Sequence, residues 1–334
     1  MTSAPSHEPA TPVSETPERP SPPRPPWWSI TIAALWLAVP LALLITDLPV
    51  LRSAHPAHLV TLVVAVLVGA VLVARALRRS RSGVVRAAAH PVRRTLGRIL
   101  VALATVVVLG ALFWLRPFAA SDDAVAAMAG GDGVRVTDSA TRIEIAPTSG
   151  EPRTGLVFQP GARVDPRAYV RMLSGVSRAG TLVVIVKQPY QIGFLAIGAP
   201  GGIIAAHPEV KAWSVGGHSL GGVAASSYAA DHPTQVHGIL FWASYPLGSL
   251  ADRTDLHVAS VSGTKDGLAT PADIAASKPN LPPTSVFTPV EGAVHAFFGD
   301  YGEQPGDGTP TVTRADAQRQ IVDASVALMG SLQP

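Results

Sequence analysis

The sequence predicts an α/β fold, a mostly parallel sheet with helices on both faces, preceded by three transmembrane helices. Three observations carry the prediction. Three long apolar runs lie before residue 118. From residue 155 onward, short apolar runs alternate with helical stretches. Between one such run and the next helix, a serine sits among glycines. The composition fits a chain that is only partly soluble. Of 334 residues, 47% are apolar and 15% charged, against roughly 25% charged in an average soluble domain. There is no cysteine, which excludes disulfide frameworks, thiolate metal sites and a cysteine nucleophile. The charge is uneven. Residues 1–121 hold 12 Lys and Arg against 4 Asp and Glu, and residues 122–334 hold 14 against 19. A basic front half and a mildly acidic back half suggest a part that meets membrane lipid and a part that meets water. Nothing points to nucleic acid.

Residues 1–26 contain nine prolines among Ser, Thr and Glu. Proline cannot donate to a ladder, and this segment has little to bury, so a disordered tail is expected. Residues 27–118 read as a three-helix membrane anchor. The runs are Trp27 to about Val50, Leu59 to Leu77 and Ile99 to Leu115. At 1.5 Å per residue, about 20 apolar residues cross a hydrocarbon core of about 30 Å. Trp27, Trp28, Phe113 and Trp114 lie at segment ends, where aromatic rings favour the interface. The first run is too long and too far from the start for a signal peptide.

Arginine sets the expected orientation. The loop 78–98 carries Arg78, Arg79, Arg81, Arg86, Arg93, Arg94 and Arg98, whereas the loop 52–58 carries only Arg52. Positive loops stay in the cytoplasm, so the tail and loop 78–98 face inward. Everything after Arg116 is then extracytoplasmic, on a multi-pass plasma-membrane protein. The same basic loop offers a site for anionic lipid. No ionisable residue falls mid-run, which argues for an anchor rather than a transport path.

Residues 119–150 read as a linker with first strands at Val134–Val136 and Ile143–Ala146, and 151–334 as the α/β domain. Its candidate strands are Leu156–Phe158, Leu182–Val186, Trp213–Val215, Ile239–Ala243, Val258–Ser262 and Val286–Val290. Helical candidates are Arg167–Arg178, Gly221–Asp231, Pro271–Ser277 and Ala315–Met329. Strands alternating with helices give a parallel sheet.

Gly217-His218-Ser219-Leu220-Gly221 follows the strand Trp213–Val215 and opens a helix. That is the context of a nucleophile elbow, a strained turn that lifts the serine clear of the sheet. A serine hydroxyl needs a base. In such folds the chain order is serine, acid, histidine. His295 follows the last strand and is the candidate base. His232, His237 and His257 are placed elsewhere along the sheet. Asp266 leaves the end of the strand Val258–Ser262 and is the candidate acid, which would hold the imidazole tautomer. The oxyanion donors expected are the amides of Leu220, directly after the nucleophile, and Ala162, in Gln159-Pro160-Gly161-Ala162.

Several pieces carry a resemblance. They are Phe158-Gln159-Pro160-Gly161-Ala162, Val184-Ile185-Val186-Lys187, Gly216–Gly222, Ser262-Gly263-Thr264-Lys265-Asp266-Gly267 and His295-Ala296-Phe297-Phe298-Gly299-Asp300-Tyr301-Gly302. From about Gly155 to Leu332 the chain resembles compact bacterial α/β-hydrolases of the dienelactone-hydrolase-like group. The resemblance implies the α/β-hydrolase fold with Ser219, Asp266 and His295 as triad. Dienelactone hydrolase itself uses a cysteine, so its substrate does not carry over to Ser219.

The expected activity is hydrolysis of small or lipid-like carboxylic esters through an acyl-enzyme, with no cofactor. Acyl transfer, thioester or peptide cleavage at the envelope, and a non-catalytic anchored binding module, remain alternatives. Only 46 residues separate Ser219 from Asp266, and 28 separate Asp266 from His295. That leaves no room for a cap domain there and predicts an open site. Phe241, Trp242, Phe297 and Phe298 are candidates either for an acyl pocket or for core. The acidic loop Asp300–Gly308 lacks the spacing of an EF-hand. It reads as a hydrogen-bonded surface loop. Oligomeric state is open.

Overall fold

The structure is a computed structural model that describes residues 27–82 and 90–332. The tail 1–26 lies outside the described residues, as does the middle of the basic loop. Three helices come first, α1 (Trp27–Ser53), α2 (Pro56–Ser82) and α3 (Pro91–Trp114). Each is long and apolar enough to cross a membrane by length and composition. α1 runs unbroken past Pro40 and Pro49. Leu43, Leu51, Leu62, Ala65, Leu109 and Leu112 form a small core between the three. Inside it, Trp36 Nε1 donates to Thr105 Oγ1 across α1 and α3 at 3.0 Å.

The basic segment differs from expectation. Arg78 and Arg79 extend α2, and Arg93, Arg94 and Arg98 lie in the first turns of α3. Pro91 explains the early start, since proline suits the first helical position and its missing N–H costs nothing there.

The remainder forms one eight-stranded sheet. Its strands are β1 (Val134–Asp138), β2 (Arg142–Pro147), β3 (Thr154–Gln159), β4 (Thr181–Val186), β5 (Ala212–His218), β6 (Gly238–Trp242), β7 (His257–Gly263) and β8 (Val286–Val290). The order is β1-β2-β4-β3-β5-β6-β7-β8. β1 and β2 pair antiparallel, as do β2 and β4. Every later pair is parallel. The segment 119–150 therefore supplies the antiparallel edge of the same sheet, with a short helix α4 (Asp122–Ala126) before it.

Residue alternation splits the core in two, as the strand period of two requires. Leu156, Phe158, Val183, Ile185, Leu240 and Trp242 face one side. There they meet α5 (Val170–Arg178) and the C-terminal α9 (Arg314–Ser331). Val157, Val184, Val215, Ile239 and Phe241 face the other side. They are covered by α7 (Leu220–Asp231) and by α6 (Ala199–Ala206). α6 was not expected from the sequence. Its stretch Ala199-Pro200-Gly201-Gly202-Ile203-Ile204 carries two glycines and shows no clear apolar stripe. It is held by burial of Ile203 rather than by propensity. Between β7 and β8 lies only α8 (Pro271–Ser277) with a 3₁₀ turn, so no cap domain intervenes between Ser219 and His295.

Candidate active site

β5 ends at His218, and α7 begins at Leu220. Ser219 between them has φ 52° and ψ −126°. This is a conformation that L-residues with a side chain rarely adopt. Glycine is required on both sides. A Cβ at Gly217 would overlap the Gln159 carbonyl oxygen, and one at Gly221 would overlap the carbonyls of Gln159 and Pro160. The Ser219 backbone is fixed by its N–H to Trp242 O at 2.9 Å and by Ser244 Oγ donating to Ser219 O at 2.6 Å. The side chain is half-buried and stands at the helix start.

Asp266 and His295 meet, as expected. Asp266 leaves β7 in a tight turn. Its Oδ1 accepts the amides of Leu268 and Ala269, both at 2.8 Å, and its Oδ2 lies 2.9 Å from His295 Nδ1. Both residues are buried. A carboxylate held by two amides cannot swing away, so it fixes the ring. His295 Nε2 is buried and makes no hydrogen bond among the described residues. The bond to the serine hydroxyl is open.

The two amides expected as oxyanion donors lie in the loop after β3 and at the start of α7. In the loop after β3, Gly161 N–H donates to Tyr169 Oη at 2.9 Å, Arg163 N–H to Gln191 O at 2.8 Å and Val164 N–H to Gly161 O at 3.1 Å. Pro160 has no N–H. Ala162 is the one residue of this stretch whose amide has no acceptor among the described residues. The Leu220 amide, at the first helical position, likewise has none, as helix starts dictate.

Residues that sequence reasoning missed hold this frame. Tyr169 Oη is bonded to Gly161 N and lies 3.0 Å from His218 Nδ1, and the His218 ring packs 4.5 Å from that of His295. Burial pushes the Tyr169 phenol up, and burial beside His295 pushes the His218 imidazole well below its ordinary value. His218 is therefore neutral near pH 7. Asp307 is the second missed residue. Its Oδ1 accepts from His295 N at 3.0 Å and Gly267 N at 3.2 Å, and its Oδ2 from Ala296 N at 2.8 Å. The only sequence hint was an acid in a Gly- and Pro-rich loop. Asp300, in the same loop, pairs with Arg171 at 2.7 Å and accepts from Gln318. Both acids spend their oxygens on protein donors, as a hydrogen-bonded loop does.

The other candidates fall elsewhere. His232 stacks on Tyr228, His237 Nδ1 accepts from Trp213 N, and His257 Nδ1 meets Ser331 Oγ. Phe241, Trp242, Phe297 and Phe298 are buried core. Trp242 Nε1 donates to Ser325 Oγ, and Phe298 stacks on His218.

Backbone strain collects here too. Arg163, Tyr190, Gln191, Ser219 and Ala243 all have positive φ, and all follow strands β3 to β6. Such residues cost about 1–3 kcal/mol each and persist where the surroundings over-determine them.

Residues 155–320 match the family described as the Alpha/beta hydrolase family. This part of the chain belongs to that family. Among solved structures, one similar chain is a "predicted CIB-like hydrolase" from Thermoplasma acidophilum. It has 15% identity and a TM-score of 0.44, over 58% of this chain and 100% of that one. Another is esterase 2 of Thermogutta terrifontis, phosphoramylated by tabun. It has 15% identity and a TM-score of 0.42, over 61% of this chain and 97% of that one. No curated protein matches by sequence. Ser219 stands at the turn after β5, Asp266 in the loop after β7 and His295 in the loop after β8.

Proposed function

We propose that this chain is a membrane-anchored serine hydrolase that cleaves carboxylic esters through an acyl-enzyme. The observation that carries the reading is the strained Ser219 at a helix start, next to His218, whose ring packs 4.5 Å from that of His295 in a buried, oriented Asp266–His295 pair. Ser219 Oγ attacks the ester carbonyl while His295 Nε2 takes its proton. The amides of Leu220 and Ala162 receive the oxyanion. Asp266 holds the Nδ1–H tautomer and stabilises the imidazolium. His295 then protonates the departing alcohol. It next takes a proton from water, which attacks the acyl-enzyme, and returns that proton to Ser219 Oγ as the acid leaves. The chemistry uses no cofactor.

The anchor reading rests on α1 to α3. The turn between α1 and α2 and the end of α3 both lie on the side where the sheet domain sits. Arg116, just past α3, pairs with Asp47 near the end of α1 at 3.0 Å. With the arginines clustered at the opposite ends of α2 and α3, the positive-inside rule puts the hydrolase outside the cytoplasm.

The test is pre-steady-state kinetics on the full chain with p-nitrophenyl butyrate. A burst of nitrophenolate stoichiometric with protein is expected, because acylation splits the reaction in two. It should vanish in Ser219→Ala. No burst and no steady turnover from folded protein would refute the reading.

A further inference from the structure

The edge of the sheet that carries Ser219 is the edge that rests on the outer ends of the helices. Two loops make the contact. In the loop after β4, Tyr190 Oη lies 2.7 Å from Thr61 Oγ1 of α2, and its ring packs 5.7 Å from that of His58. In the loop after β3, the Arg163 guanidinium lies 5.0 Å over the ring of Trp114, the last residue of α3. Its Nε also donates to Arg116 O at 3.1 Å. Thr61 is five residues past the start of α2, a depth of roughly 7–8 Å along the helix. The Tyr190 turn thus sits at the level where helix ends meet lipid headgroups.

That same turn leads directly to the nucleophile. Gly193 lies so close to α7 that a Cβ there would come within 3.1 Å of Ala224 Cβ and 3.3 Å of Leu220 O. The next two residues, Phe194 and Leu195, are 41% and 57% exposed. Two large apolar side chains are therefore bare between a helix-bound tyrosine and the start of the nucleophile's helix. Loops after neighbouring strands add exposed Leu247 and Leu268 on the same edge. Exposed singly, such residues need no explanation. Set on one edge beside three apolar helices, they match a surface that meets lipid.

We infer that the ester reaches Ser219 from the bilayer. It is a long-chain ester whose carbonyl rises to the serine while its apolar chain stays in the outer leaflet beside Phe194 and Leu195. This rests on the serine-hydrolase and anchor readings above.

The test uses the full chain in phosphatidylcholine vesicles and two esters with the same leaving group. 4-Methylumbelliferyl acetate is presented in water, and 4-methylumbelliferyl oleate is dissolved in the bilayer. Both should be hydrolysed. Adding phosphatidylcholine at constant total oleate ester should lower the oleate rate in step with its mole fraction in the bilayer, and leave the acetate rate unchanged. In a Phe194→Ser, Leu195→Ser double variant the oleate-to-acetate ratio should fall about tenfold or more. That equals loss of about 1.4 kcal/mol, less than burial of two such side chains supplies. Turnover of acetate without oleate, or an oleate rate indifferent to surface dilution, would overturn the inference and leave the hydrolase reading standing. An unchanged ratio in the variant would do the same. Failure of both esters would overturn both.

Discussion

Asp307 accepts the backbone N–H of His295 at 3.0 Å, and the same oxygen takes the N–H of Gly267, the neighbour of Asp266, at 3.2 Å. One carboxylate thus ties together the two loops that carry the proposed acid and base. Asp307 touches no reacting atom and acts by position. Asp307→Ala should lower kcat for a soluble ester by about 10–100-fold with little change in KM, since only the transition-state geometry suffers. Asp307→Asn, which keeps one acceptor oxygen, should recover part of that loss. A loss confined to KM would contradict the assignment.

Asp266→Asn keeps the shape of the turn and can still accept the Leu268 and Ala269 amides. It removes the charge opposite His295 and presents an amide in its place. A fall in kcat of roughly 10³–10⁴-fold is expected, from the wrong tautomer and the loss of imidazolium stabilisation. Steady-state kinetics alongside a thermal melt separates this from unfolding.

Two glycine substitutions should differ in sign. A Cβ at Gly217 overlaps the Gln159 carbonyl oxygen, whereas one at Gly202, in α6, meets nothing within 4 Å. Gly217→Ala should lower the melting temperature by roughly 5–10 °C, the cost of overpacking a rigid turn. Gly202→Ala should leave it level or raise it slightly, because alanine is the better helix former. Both are read by calorimetry of the detergent-solubilised chain.

His218 sets an acid limit on stability. Its folded value lies well below 6.5 through burial first and the neighbouring His295 imidazole second. Between that value and 6.5 the unfolded chain binds the extra proton. The contribution is therefore fully present above pH 6.5 and is lost as pH falls below it, by up to about 1.4 kcal/mol per pH unit. Urea midpoints measured from pH 7.5 down to 5 should fall accordingly. His218→Gln should be less stable at pH 7.5, having lost the Tyr169 pairing, yet show a shallower decline with acid. An equally steep decline in the variant would assign the titration to another group.

Much of the site was legible because its chemistry is local. The glycines around Ser219 report a turn that only they can make. Asp266 and His295 each follow an apolar run that reads as a strand, so chain order alone gave their places at one sheet edge. What escaped depends on long-range packing. Asp307 reaches the amide of Gly267, 40 positions back, and Tyr169 links Gly161 to His218, 49 positions on, and no periodicity marks such partners. α6 has the composition of a loop and is helical because the sheet face buries Ile203. Nothing in α2 announces that Thr61 will meet Tyr190, 129 positions later.

The proposed function makes Ser219 an activated nucleophile on the outer side of the membrane. A membrane-impermeant fluorophosphonate probe on intact cells, comparing wild type with Ser219→Ala, tests it most directly. Covalent labelling of the wild type without lysis, and none of the variant, is expected. Labelling only after lysis would contradict the orientation, and no labelling of folded wild-type protein under either condition would contradict the claim itself.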